Sequence, residues 1–195
     1  MDKKETKLFV DKIKDIHSVF DKEGAFLYDV AKNCNRGVIV EIGAWKGVSA
    51  IWLGNGSTAG NNIEVYSIDT FTGSPIHREK YKNIETLPEF KKNINDAGLK
   101  NTVFPIVKKS EEAIKGWEEP IGFLWIDGNH EYEYVKKDFN LWFPYLIKGG
   151  IIALHDSAFR PGRDGPVRVV QEEILLSKRF INIGTVGSIT FATKV

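Results

Sequence analysis

An open, mostly parallel α/β sheet with helices on both faces is the fold class the sequence predicts, and three observations carry it. Short apolar runs alternate with amphipathic or polar stretches from residue 38 onward. Runs such as VIVEI, IGFLWI and GGIIAL are nearly continuous in their hydrophobicity, as strands covered on both faces are. The last two runs, FINIG and SITFAT, are separated only by the region of Thr185, Val186 and Gly187. That leaves no room for a crossover helix, so these two strands pair antiparallel as a terminal hairpin.

Taken in order, Phe9, Ile13, Ile16 and Phe20 recur at spacings of four, three and four, so the N-terminus reads as one amphipathic helix. A second short helix, AFLYDVAKN, follows Gly24 and stops near Asn35, Arg36 and Gly37. The first strand is then Val38-Ile39-Val40-Glu41-Ile42. A helix over residues 47–54, the strand EVYSI and a helix ending before Gly98 come next. The strand TVFPIV, the helical SEEAIKGW and the strand IGFLWI follow. Val135, Phe139, Trp142 and Leu146 repeat at four, three and four and support a helix over residues 131–146. The strand GGIIAL, a helix over residues 166–178 and the hairpin complete the series.

A chain of 195 residues is expected to form one domain, 1–195, with residues 1–35 as N-terminal helices. Lys and Arg number 27 against 26 Asp and Glu, a net charge of +1 that argues against nucleic acid or an anionic membrane as partner. Cys34 is the single cysteine, which fits a reducing compartment, and no apolar leader or spanning segment is present in the sequence. The expected location is cytoplasmic. An apolar helical stripe such as the first one can bury against its own domain or against a second copy, so a homo-oligomer stays open.

Two segments interrupt the rhythm. Residues 71–88, FTGSPIHREKYKNIETLP, are long and polar enough to be a lid or substrate loop, and residues 157–165, SAFRPGRDG, carry Arg160 and Arg163. Both belong at the carboxyl edge of the sheet, where ligands of open parallel sheets bind. The arginines suit a carboxylate, a phosphate or sugar hydroxyls, and solvated surface loops explain both segments equally well. His77 lies in the first loop, whereas His17 falls on the polar side of the N-terminal helix.

Glu41-Ile42-Gly43-Ala44-Trp45-Lys46-Gly47-Val48-Ser49 follows a strand and opens a helix. Gly43 allows a tight turn, Gly47 allows close approach of a ligand to the backbone, and the helix N-terminus offers N–H groups to an anion. A dinucleotide fingerprint needs a third glycine, which is missing here. An amino-acid moiety fits better: Glu41 faces an ammonium, and Ser49 with the helix amides holds a carboxylate. A routine strand-to-helix turn is the plainer alternative. Asp69, ending the second strand, is placed for the two hydroxyls of a ribose, and Lys108-Lys109-Ser110-Glu111, ending the third, is placed at an adenine edge.

Asp127, in WIDGNH, and His155-Asp156, in ALHDS, are delivered to neighbouring strand ends by apolar runs, so they converge as a candidate metal site. Carboxylates with an imidazole accept Mg²⁺ and, more readily, Mn²⁺. Helix capping by the two aspartates and a backbone-bonded His155 are the structural alternatives. His130, three residues after Asp127, is the candidate general base; a surface histidine at a helix start is its alternative.

These motifs in order, VEIGAWKGVSA, YSIDT, WIDGNH and ALHDS, resemble the class I S-adenosylmethionine-dependent methyltransferases over residues 36–195. Within them the chain is most similar to the small metal-dependent O-methyltransferases, of the catechol and macrocin O-methyltransferase type. The resemblance implies a Rossmann-like, doubly wound seven-stranded sheet with an antiparallel terminal strand. It implies that Gly43, Trp45, Gly47 and Ser49 line the methionine end of S-adenosylmethionine, Asp69 the ribose, and Ser110 and Glu111 the adenine. Asp127 would serve the metal, catalysis and the cofactor site, with His130 at the position of the family's base. The family pattern has two oxygen ligands where this chain has His155 and Asp156, a departure that bears on the metal. The expected acceptor is a small hydroxylated molecule: a sugar, a phenol or a natural product. A cephalosporin-hydroxylase-like metal protein, a nicotinamide-dependent oxidoreductase and a non-catalytic cofactor-binding module are the alternatives.

Overall fold

The computed structural model describes residues 1–15, 18–73, 83–158 and 164–195. Seven strands form one sheet in the order β3-β2-β1-β4-β5-β7-β6. They are β1 (Val38–Ile42), β2 (Val65–Asp69), β3 (Val103–Val107), β4 (Ile121–Ile126), β5 (Leu146–Leu154), β6 (Phe180–Val186) and β7 (Ile189–Lys194). The first five pair in parallel. The closing hairpin forms as expected, and β7 inserts between β5 and β6, antiparallel to both.

The helices are α1 (Lys3–Val10), α2 (Asp21–Asn33), α3 (Val48–Ala59), α4 (Leu87–Asp96), α5 (Ser110–Ala113), α6 (Tyr132–Trp142) and α7 (Asp164–Val169). Strand residues alternate between two apolar layers. Ile39, Phe123, Trp125 and Ala153 face the cluster that includes Leu27 of α2 and Trp52 of α3. Val40, Ile42, Leu124, Ile126 and Leu154 face the one that includes Phe139 and Trp142 of α6. Phe123 and Phe139 are fully buried, and each such side chain contributes about 1.5–3 kcal/mol relative to exposure. No described helix is long and apolar enough to cross a membrane.

Several expected boundaries are corrected. The N-terminal stripe is not one helix: α1 ends at Val10, the next helix begins at Asp21, and Ile16 of the stripe lies outside the described residues. Phe20, expected in the stripe, is 60% exposed and precedes α2. That second helix starts at Asp21 rather than after Gly24, because Glu23 turns back to accept the Phe20 N–H at 2.8 Å and closes the helix start. Gly24 is no break; it lets the Trp52 ring lie against the helix. The helix expected over residues 47–54 continues to Ala59.

SEEAIKGW yields only Ser110–Ala113. The helix expected to reach residue 146 ends at Trp142, because Pro144 turns the chain into a 3₁₀ segment, Phe143–Tyr145, and β5 begins at Leu146. The final helix starts earlier than expected and finishes as a π-helical segment, Val170–Leu175. The 71–88 loop is pinned where its two ends meet, Thr86 N–H donating to Phe71 O at 2.9 Å.

Candidate active site

Parallel register fixes the site. Ile42 stands opposite Ile68 and Ile126, and Ile126 stands opposite Leu154. The residues that follow these ends, Gly43, Asp69, Asp127 and His155, therefore share one carboxyl edge. Asp127 N–H donates to Ile42 O at 2.8 Å, and His155 N–H donates to Ile126 O at 3.0 Å.

Gly43 has a φ of 91°, and a Cβ there would lie 2.2 Å from the Asp127 carbonyl oxygen. Only glycine allows β1 to turn this close to β4. The turn that follows is organised by Asp69. Its Oδ2 accepts N–H bonds from Ala44 and Trp45, both at 2.9 Å, and its Oδ1 accepts the Phe71 N–H at 2.7 Å. The acid expected at the ribose thus also builds the loop. Trp45 is held at a φ of 47°, with its indole N–H donating to Asp15 Oδ2 at 3.1 Å. Gly47, in the left-handed region, caps α3, whose first turn carries the nearly buried Ser49.

Glu41 is fully buried beneath this turn. Ser67 donates its hydroxyl to Oε2 at 2.6 Å, while Oε1 makes no hydrogen bond. Burial pushes the carboxyl up to about 8, against the pull of the Ser49 and Ser67 hydroxyls. A raised carboxyl makes its stabilising contribution below its unfolded value of 4.5 and loses it as pH rises through about 8. Melting of the ligand-free chain should therefore fall across this range, and Glu41→Gln should flatten that slope. An unchanged slope in the variant would show that Glu41 does not cause it.

Ser110 and Glu111 follow β3 just past Lys108, whose N–H donates to Asp69 O at 3.2 Å. Trp142 donates its indole N–H to Ser110 Oγ at 2.8 Å, and Glu111 pairs with Lys137. Nearby Asp138 is pushed up to about 6 by burial.

Four donor atoms converge where β4 and β5 end. Asp127 Oδ1 is 3.0 Å from His155 Nδ1, which is 3.9 Å from Asp156 Oδ2. His130 Nε2 is 3.1 Å from that same Oδ2 and 4.0 Å from Asp127 Oδ1. His130 Nε2 is buried and makes no hydrogen bond. Asp156 is held at a φ of 48°, a strained conformation for a non-glycine residue of the kind that gathers at functional sites. Donors about 2.1 Å from a metal stand roughly 3.0–3.4 Å apart in octahedral or tetrahedral arrangements; the 3.0 and 3.1 Å contacts meet that spacing, and the 3.9 and 4.0 Å ones are wider. Two imidazoles beside two carboxylates favour a transition ion over Mg²⁺.

Sequence reasoning missed Glu23. It is fully buried on α2, accepts the Ser188 N–H and hydroxyl on Oε1 at 2.7 Å each, and places Oε2 3.3 Å from His155 Nε2. Burial opposes its charge, but His155, Ser188 and Phe20 outweigh that cost and bring it down to about 2. His155 is pushed up to about 10; burial works against its charge, and Asp127 with Glu23 and Asp156 overcomes it. A buried glutamate on an otherwise amphipathic helix, far from any strand end, carries no signal in one sequence. His17, His77, Arg160 and Arg163 lie outside the described residues, as do residues 74–82 and 159–163 of the two candidate loops.

The solved structures similar to this chain include an O-methyltransferase from Bacillus cereus in complex with SAH. It is 20% identical, with a TM-score of 0.68 over 98% of this chain and 90% of that one. The O-methyltransferase NovP is 18% identical, with a TM-score of 0.74 over 93% and 83% of the two chains. TomG from Streptomyces achromogenes, in complex with SAM, is 16% identical, with a TM-score of 0.70 over 99% and 89%. A curated relative, the uncharacterized protein R132 of Acanthamoeba polyphaga mimivirus, is 50% identical over 36 residues, 18% of this chain and 16% of that protein. A family model described as a methyltransferase domain matches residues 40–157, more than half of the chain and the whole carboxyl edge described above. The chain therefore belongs to the methyltransferase domain family and shares the fold of the S-adenosylmethionine-dependent O-methyltransferases.

Proposed function

We propose that this protein transfers a methyl group from S-adenosylmethionine to a hydroxyl of a small acceptor, a sugar, a phenol or a natural product, with help from a divalent metal. One observation carries the reading: the Gly43 turn and the cluster of Asp127, His130, His155 and Asp156 abut across the β1–β4 edge, with Gly43 against the Asp127 carbonyl. A donor site and a site able to activate an oxygen are thereby neighbours. Family membership favours methyl transfer over the nicotinamide-dependent alternative.

Glu41 Oε1, buried without a hydrogen bond, suits the methionine ammonium, and the N-terminus of α3 with Ser49 suits the carboxylate. Asp69 keeps the loop shaped and turns toward the ribose; Ser110 and Glu111 border the adenine. Methyl transfer is an in-line displacement, so the protein's main task is alignment of the acceptor oxygen with the sulfonium methyl. Asp127, His155 and Asp156 would hold the metal, which when bound lowers the pKa of an acceptor hydroxyl. His130, with Asp156 beside it, takes the hydroxyl proton on Nε2 as the methyl leaves sulfur.

A second role for His130 is favoured by the place of its Nε2 in the same ring of donors, 3.1 Å from Asp156 Oδ2 and 4.0 Å from Asp127 Oδ1: it would serve as a fourth ligand. As base, its loss lowers kcat and leaves Mn²⁺ affinity intact; as ligand, its loss weakens Mn²⁺ binding. Calorimetric titration with S-adenosylhomocysteine, repeated with Mn²⁺, tests the main reading. Saturable binding of both is expected. Absence of S-adenosylhomocysteine binding would overturn the donor assignment, and absence of Mn²⁺ binding would overturn the metal.

A further inference from the structure

We infer that Glu23 is a positioning residue for the metal site: it fixes the ring and tautomer of His155 so that Nδ1 faces Asp127 and Asp156 while Nε2 keeps its proton. This rests on the metal-assisted reading above. A glutamate with no exposed surface sits on α2, outside the strand ends that carry the rest of the site.

Its surroundings hold it in a single pose. Oε1 accepts the Ser188 N–H and hydroxyl, both at 2.7 Å, and Oε2 accepts the Phe20 N–H at 2.8 Å. A Cβ on Gly187, at a φ of 60°, would lie 2.5 Å from Oε1, so the β6–β7 turn is shaped to seat this carboxylate. What remains of Oε2 points at His155 Nε2, 3.3 Å away. The other ring nitrogen, Nδ1, is 3.0 Å from Asp127 Oδ1 and 3.9 Å from Asp156 Oδ2. The Trp125 ring packs beside the imidazole, with centroids 5.6 Å apart, and restricts its rotation.

A histidine that ligates a metal through one nitrogen commonly donates the other N–H to a carboxylate, which sets ring orientation and raises ligand basicity. Glu23, His155 and the donor cluster stand in that order. Exchange of the Nδ1 proton for a divalent ion leaves the Nε2 proton held by Glu23. Because Glu23 also ties α2 to the β6–β7 turn, the helix and the hairpin that flank the sheet edge become part of the site's support.

The test uses the full chain and Mn²⁺, followed by electron paramagnetic resonance titration, with S-adenosylhomocysteine calorimetry and thermal melting alongside. Glu23→Gln keeps the volume and the acceptor for Ser188 but removes the charge, and should weaken Mn²⁺ binding about 10- to 100-fold. S-adenosylhomocysteine affinity should stay within about twofold, since Glu23 lies outside the Gly43 turn. Unchanged Mn²⁺ affinity in the variant would overturn the inference. Failure of the unaltered chain to bind Mn²⁺ would overturn it together with the metal reading, and so differs from failure in the variant alone. A measurement on the unaltered chain covers the case in which the variant does not fold: ¹⁵N correlation spectra of the Zn²⁺-loaded protein should show His155 protonated at Nε2 and metallated at Nδ1. The reverse assignment would overturn the inference.

Discussion

His130→Ala should lower kcat for methyl transfer by about 10²–10⁴-fold, the span covered by general-base catalysis, while S-adenosylhomocysteine still binds. The imidazole stands at the start of the segment leading into α6, its Nε2 is buried, and Asp156 Oδ2 is 3.1 Å away to stabilise the ring once it has taken a proton. Steady-state kinetics on wild type and variant, each at saturating Mn²⁺, together with calorimetry of S-adenosylhomocysteine, read the effect. Full activity in the variant would remove His130 from the chemistry, and a drop in Mn²⁺ affinity alongside kcat would assign it as a ligand instead.

Asp69→Ala should abolish measurable S-adenosylhomocysteine binding and destabilise the chain by about 3 kcal/mol, from three backbone N–H groups losing charge-assisted acceptors. Ala44, Trp45 and Phe71 all donate to this one carboxylate. Without it the turn over the β1 end loses the contact that holds Trp45 at positive φ, and the start of the 71–88 loop loses its anchor. Asp69→Asn, which keeps an oxygen but loses charge, should fall between wild type and the alanine variant. Calorimetry and thermal melting decide the matter: an alanine variant that binds with full affinity would show that the turn is held by other means.

The sheet was legible because its strands are buried on both faces. Runs such as Ile121–Ile126 have no reading as surface segments, and the polar residue ending each run then marks the carboxyl edge. Gly43, Asp69, Asp127, His130, His155 and Asp156 could be picked out for that reason, each lying at or just past a strand end. Helix limits were less legible. The four-three-four spacing of Phe9, Ile13, Ile16 and Phe20 runs on past the end of the first helix at Val10, and the second helix begins only at Asp21. Periodicity reports which residues are apolar, not whether the backbone between them stays helical. The end of α6 at Trp142 was readable from Pro144, whereas the π-helical Val170–Leu175 has no comparable mark.

What the sequence determined by itself is the parallel order of apolar runs, the glycine-bearing turn after the first of them, and the acids and histidines at their ends. These follow from local chemistry: hydrophobicity at a fixed period, residues that permit a turn, and side chains capable of ligation or proton transfer. Only the tertiary structure decided how those groups are partnered. Asp69 holds the loop through the N–H groups of Ala44, Trp45 and Phe71, His130 stands against Asp156, and His155 is clasped between Asp127 and Glu23. The physical reason is distance along the chain. Glu23 and His155 are 132 residues apart, and Glu23 and Ser188 are 165 apart. A buried carboxylate is tolerated only where folding has already gathered its donors, and no local pattern encodes that gathering.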